Sequence, residues 1–288
     1  MMPIAAARLR FLAWVAVYGL LVLACLWSLQ SAGDLSFGRN PWANLQKTFA
    51  EFAHPSFLDA WFGNARLEYK SDDGTVLRVE NRQLVEQAYL WGLLEATWVT
   101  IKIGTLGSLI AAIAALPLGV LSARNLHAPR LVRFAVKLLL DVSRSIHTLV
   151  FGLIFVGIFG LGPTAGILAI AAHSLGTYGK LYAEAVESLD MAAVDAVRAV
   201  GADPAQVFFT AIWPAVLPQL VSSHLYVWEF NIRDSTILGM IGAGGLGLLI
   251  SEAVSLFQWD RLATVLLVVV LLVWSFDGLS RRVRRVLS

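Results

Sequence analysis

Charge is scarce in this chain. Asp, Glu, Lys and Arg make up only 15% of its 288 residues, while 58% are hydrophobic; soluble domains carry about a quarter charged residues. That shortage excludes an ordinary soluble domain and points to a polytopic membrane protein. Cysteine is scarcer still. The single Cys25 lies inside the first apolar run, so an intrachain disulfide is ruled out, and it reads as a small packing residue. No phosphate-loop sequence of the G-x-x-x-x-G-K-[ST] type occurs, so the chain hydrolyses no nucleotide itself. Acidic residues avoid the centres of the apolar runs, and the hydropathy shows no inverted repeat, both of which argue against an ion-coupled carrier. No residue set is assigned to catalysis or to a metal, and nothing in the pattern asks for nucleic acid.

What is present are long apolar runs in a fixed order. Arg8 and Arg10 precede a run from Phe11 to Leu29 with no small-residue cleavage pattern, read as a retained helix within residues 1–30. Residues 31–90 are mixed and polar and read as an external loop region. It has turn signals at Asn40-Pro41 and Ser71–Gly74, one arm of a small hairpin at Thr75–Val79, and a stretch from Phe57 to Phe62 suited to a membrane surface. Residues 91–288 supply five further spans, at about 97–121, 139–160, 164–183, 215–233 and 262–279, with a tight hairpin at Gly160–Pro163. The expectation is an all-α bundle with six main transmembrane helices. Ten tryptophans fit aromatic belts at two interfaces. Basic residues gather at the N-terminus, at 122–137 (Arg124, Arg130, Arg133, Lys137) and at Arg281, Arg282, Arg284 and Arg285. Six spans place all three clusters on one side, which is therefore cytoplasmic, together with both termini.

The same side receives a moderately polar island between Lys180 and Pro218. Asp190 is suited to cap a helix starting at Met191, and Gly201 to follow it in left-handed backbone. Asp203-Pro204 reads as a cap followed by proline at the first helical position, and Phe208, Phe209 and Ile212 as one apolar face. The prediction is helix, bend, helix: a knob with small residues (Ala192, Ala193, Ala196, Ala199) on its first helix. These features alone fit an ordinary loop equally well. Inside the spans, His173, Ser174 and Thr177 on the fourth and Ser222, Ser223 and His224 on the fifth fit either cross-bundle glue or a solute path. Arg144 is placed to pair with Asp141, and Arg233 with Glu229. Gly242, Gly244 and Gly247 formally spell G-x-G-x-x-G, but no strand precedes them, so close packing and gating are the better reading than a dinucleotide site.

The run Asp195-Ala196-Val197, then Gly201, then Trp213-Pro214 resembles the coupling motif of ABC importer permeases: Glu-Ala-Ala, three residues, Gly, nine residues, Ile, any residue, Leu-Pro. Asp195 stands for Glu, Val197 for the second Ala, Ala211 for Ile and Trp213 for Leu, while Gly201 and Pro214 match. The run from Glu229 through Asn231, Arg233, Ser235-Thr236-Ile237-Leu238-Gly239 to Gly242-Ala243-Gly244-Gly245-Leu246-Gly247 resembles the phosphonate-type members. So do His173–Gly176, Gly179–Leu181, Ala183–Ala185, Ala123–Leu126 and Arg144–Ile146, with His147 where that family usually carries proline.

This resemblance, which spans most of residues 90–280, implies a type I ABC importer permease of the inner membrane, working as a homodimer. Its partners would be two cytoplasmic ATPase subunits, which hold the ATP and Mg while this chain holds no cofactor, and a periplasmic solute-binding protein. It implies a coupling region at about 184–214 with Asp190, Asp195, Ala196, Arg198, Gly201, Asp203, Pro204 and Pro214 in it. A translocation path would use Arg144, His173, Ser174, Ser223, His224, Asn231 and Arg233, and a gate Gly242, Gly244, Gly245 and Gly247. The solute implied is a phosphonate or a smaller reduced-phosphorus oxyanion, phosphite or hypophosphite. The competing readings are a secondary transporter, a passive membrane scaffold and an ABC permease for another small solute.

Overall fold

The computed structural model describes residues 4–32, 40–63, 67–70, 76–125 and 129–287. Contacts divide the chain into two units, residues 1–50 and 51–288. The first holds α1 (Ile4–Ala32) and most of α2 (Pro41–Phe52). Over Phe11–Ala32, α1 is long and apolar enough to cross a membrane and buries none of its residues.

The second unit begins with a 3-10 turn (Ser56–Leu58) and the short α3 (Asp59–Phe62). Polar contacts fasten this segment to the main helices: Ser56 shares a hydrogen bond of 3.0 Å with the Thr264 hydroxyl, and Asp59 forms an ion pair with Arg82. Trp61 and Phe62 stay exposed, so the stretch read as a membrane-surface segment turns only that end outward. A two-stranded antiparallel ribbon follows, β1 (Leu67–Lys70) and β2 (Val76–Glu80), which bears out the hairpin arm at 76–79; the Ser71–Gly74 turn signal and Thr75 lie outside the described residues.

The remainder is helical. α4 (Arg82–Ser122) is one unbroken 41-residue helix whose N-cap, Asn81, accepts from Gln83 N. It starts well before the expected 97 because no breaker separates the polar first turns from the apolar run. α5 (Arg130–Ser145) and α6 (Thr148–Phe159) follow, then α7 (Pro163–Glu187), α8 (Met191–Ala199), α9 (Pro204–Val207), α10 (Trp213–Leu238), α11 (Leu246–Ser255) and α12 (Trp259–Leu287). α7 is the centre of the bundle and packs against α4, α5, α6 and α10. Its approach to α4 is possible because glycines face it: a Cβ at Gly107 would meet Ile170, and one at Gly119 would meet Tyr182, each at 2.7 Å.

The expected third span corrects to two pieces, since α5 and α6 meet at 90°. Among the described residues, four helices are long and apolar enough to cross a membrane, or five if the bent pair counts as one. α7, read as the fourth span, is not among them. A helix buried among its neighbours can carry alanine, glycine, serine and tyrosine instead of lipid-facing leucine, and thirteen of its 25 residues are buried.

Candidate functional site

Two regions collect the residues singled out by the sequence. In the first, Asp190 caps α8 by accepting from Ala192 N at 2.9 Å, and Gly201 (φ 87°) turns the chain after Val200. Asp203 accepts from Gln206 N at 2.8 Å while the Gln206 side chain accepts from Asp203 N, a closed capping box with Pro204 in the first turn. Arg198 donates to Asp195 at 3.0 Å. The second helix of the knob is not a separate element. α9 runs through a π-helical turn (Phe208–Ile212) straight into α10, and the helical run Pro204–Ala243 spans 40 residues with a kink at Gly242 near its end. Pro214 accounts for the wide turn, because its ring crowds the carbonyl four residues back and it has no N–H to give it. The extra residue also splits the expected apolar face: Ile212 is buried and Phe208 half-buried, while Phe209 points out.

The knob is fastened to the bundle. Val194, Val207 and Ile212 share an apolar cluster with Tyr182 and Val186, and Asn125 donates to the Val186 carbonyl at 2.7 Å. Its other side is open: Ala192, Ala193, Ala196, Ala199, Val200 and Phe209 are all exposed, a shallow apolar surface with one aromatic.

The second region is a polar seam between α4, α7 and α10. Ser174 donates to the Asn231 side-chain oxygen at 3.0 Å, Asn231 donates to Ser108 at 2.7 Å, and Ser108 donates to the Gly104 carbonyl at 2.7 Å. Every link is buried and every link has a partner. Beside it, His173, Ser174, Thr177, Phe230, Asn231 and Asp234 line a depression of ≈ 240 Å³. His173 Nδ1 lies 2.8 Å from the Ile146 carbonyl, so that nitrogen carries the proton and donates. Thr148 donates to Asp234 at 3.0 Å.

The other path residues lie elsewhere. Buried Ser223 and half-buried His224 do not line this depression, and His224 meets the Tyr178 hydroxyl at 3.1 Å instead of pairing with α7's His173 and Ser174. Arg144, bound to Asp141 at 2.8 Å, belongs to a separate charged cleft with Arg124, Lys137 and Lys180. Arg233 reaches Glu229 at 3.6 Å and lies over the Phe230 ring, and Arg284 of α12 approaches the same Glu229 at 3.9 Å. Sequence reasoning missed Ser108, Thr148, Tyr178 and Asp234. Only Asp234 had a signal, being an acid inside the quoted run from Glu229 to Gly247.

The glycines close the far end of α10. Gly242, Gly244 and Gly245 all take left-handed backbone, and Gly242 O accepts from Gly162 N at 2.9 Å, which joins the break to the α6–α7 hairpin. Gly247 lies against Gly239 so closely that a Cβ on it would fall 2.7 Å from the Gly239 Cα. Close packing is what this geometry displays.

Comparison with known proteins matches residues 115–288 to the family described as binding-protein-dependent transport system inner membrane component. The chain is 39% identical over 194 residues to PtxC of Stutzerimonas stutzeri, a phosphite transport system permease protein, covering 66% of this chain and 70% of that one. It is 35% identical over 192 residues to PhnE of Mycolicibacterium smegmatis, a phosphate-import permease protein, covering 67% of this chain and 36% of that one. An inward-facing structure of the MetNI methionine ABC transporter superposes with a TM-score of 0.63 at 22% identity, covering 70% of this chain and 98% of that chain, a likeness of fold alone. A helical bundle with this seam, this knob and these relatives is a multi-pass transport permease, and the chain belongs to the family of binding-protein-dependent transport system inner membrane components.

Proposed function

We propose that this permease is the membrane subunit of an ATP-driven importer for phosphite or a related reduced-phosphorus oxyanion, phosphonate and hypophosphite included. The observation that carries the substrate class is the 39% identity to a phosphite transport permease across the bundle. The knob is where the ATPase docks: its open face of small residues admits another backbone, and Phe209 offers an aromatic anchor. Two copies of the chain form the path, two cytoplasmic ATPase subunits bind ATP and Mg, and a periplasmic receptor delivers solute. The N-terminus, the knob and the C-terminus face the cytoplasm of a bacterial inner membrane, an orientation that the basic clusters support. His173, Ser174 and Asn231, beside Asp234, form the part of the path nearest the solute, and the glycine break from Gly242 to Gly247 acts as the outer gate.

Phosphate is the second candidate solute, favoured by the likeness to a phosphate-import permease. Uptake of labelled phosphite, measured with excess phosphate or methylphosphonate as competitor, separates the two. Inhibition by phosphonate and not by phosphate supports the first reading, whereas phosphate uptake unaffected by phosphite assigns the chain to phosphate.

A further inference from the structure

Among the described residues that line the depression between α7 and α10, Asp234 is the only acid, and none is Lys or Arg. An acid within a membrane span is costly and is found where it faces a partner or a cavity. Asp234 has half of each. Its Oδ2 accepts from Thr148 at 3.0 Å, while Oδ1 has no partner among the described residues, and the adjacent Arg233 is taken by Glu229. His173 adds a second acceptor: with Nδ1 donating to the Ile146 carbonyl, the neutral ring has only the Nε2 lone pair left. The Thr177 hydroxyl makes no hydrogen bond within the described residues and is a free donor on the same wall. A seat for a bare oxyanion would carry cations and donors. This one has a donor and, against it, a carboxylate that repels an anion unless the anion brings a proton of its own.

We propose that Asp234 determines specificity by reading the P–OH group of the solute, an inference that rests on the depression being part of the path for a phosphorus oxyanion. Singly charged phosphite and the phosphonates each carry a hydroxyl on phosphorus. It donates to Asp234 Oδ1 while a charged oxygen of the same ion accepts from Thr177. Thr148 is a positioning residue that holds the carboxylate toward the depression. Hypophosphite has the same single charge but bears hydrogen on phosphorus where phosphite bears its hydroxyl, so it offers Asp234 a like charge and no donor. It is also the smaller ion, so size cannot be what turns it away. A site built to bond a hydroxyl rejects the analogue that lacks one, because its own polar group is then left unpaired. The permease thus ranks hypophosphite last among the reduced-phosphorus ions.

The test compares uptake of labelled phosphite and labelled hypophosphite in mildly acid medium, in host cells whose own copy of the permease is replaced by wild type or Asp234→Asn. Asparagine keeps the size of the side chain and the acceptor for Thr148, but turns an N–H toward the solute where a carboxylate oxygen stood. The ratio of phosphite to hypophosphite uptake should fall about tenfold in the variant. Whatever preference other subunits impose is the same in both strains and cancels, and a merely structural defect slows both ions alike. An unchanged ratio therefore overturns the role of Asp234 even if total uptake drops. Should Asp234→Asn fail to reach the membrane, Thr148→Val decides: freeing the carboxylate should lower the ratio about threefold, and an unchanged ratio again overturns the proposal. A wild type that imports neither ion is a different result, since it refutes the solute class itself and this inference with it.

Discussion

Asn231 commits both ends of its amide to buried partners, accepting from Ser174 and donating to Ser108. Asn231→Leu leaves the buried Ser174 hydroxyl without its acceptor and takes one donor from Ser108, which keeps its bond to the Gly104 carbonyl, a loss of about 1–3 kcal/mol in stability. Thermal unfolding of the detergent-solubilised permease should register it, with uptake falling in parallel. His173→Leu is the sharper probe of solute contact, because it removes a depression-lining group but keeps the Ser174–Asn231–Ser108 chain. We expect solute selectivity to change while the protein remains as abundant in the membrane; unchanged selectivity assigns His173 to holding Ile146 alone. Gly201→Val tests the knob. Nothing lies within 4 Å of its would-be Cβ, so the cost comes from the backbone at φ 87°, about 1 kcal/mol and more for a β-branched residue. Insertion should be normal, with uptake lost and the ATPase no longer co-purifying. The caps at Asp190 and Asp203 and the turn at Gly201 were legible because each depends on residues within three positions. The partner of Asn231 was not, since Ser108 lies 123 residues away and no local pattern announces it.

The bend between α5 and α6 was invisible for lack of a breaker: neither glycine nor proline marks it, and the polar residues leading into it, Asp141, Ser143, Arg144 and Ser145, still belong to α5. His147 does proline's work there. Its φ of −65° is the angle a proline ring enforces, and its Nδ1 adds what proline lacks, a cap that accepts from Leu149 N at 3.2 Å. His147→Pro should therefore preserve the bend and the uptake, while His147→Ala, which loses the cap, should cost about 1 kcal/mol in the same unfolding measurement. Pro214 was read as part of a motif. Its structural effect, the π-helical turn that carries Phe209 away from Ile212, follows from the missing N–H but needs the helix to be continuous through 213, which the polar composition of the island concealed.

Across the whole molecule, the order of the helices and the basic clusters were readable from hydropathy and charge, while the central position of α7 was not, because burial against four neighbours is a tertiary fact. Sidedness is directly testable after Cys25→Ser removes the one native thiol. In intact cells, a cysteine at exposed Trp61 should react with an impermeant maleimide, and one at Asn125 only after permeabilisation; the reverse pattern overturns the orientation. The continuity of Pro204–Ala243 has a mechanical side. At about 1.5 Å per residue, 40 residues make a rod of about 60 Å, carrying the knob at one end, the Asn231 seam partway along and the glycine break at the other. A crowbar of that length multiplies motion: a tilt of about 5° at the knob end sweeps the far tip through about 5 Å, a displacement comparable to the diameter of a small oxyanion.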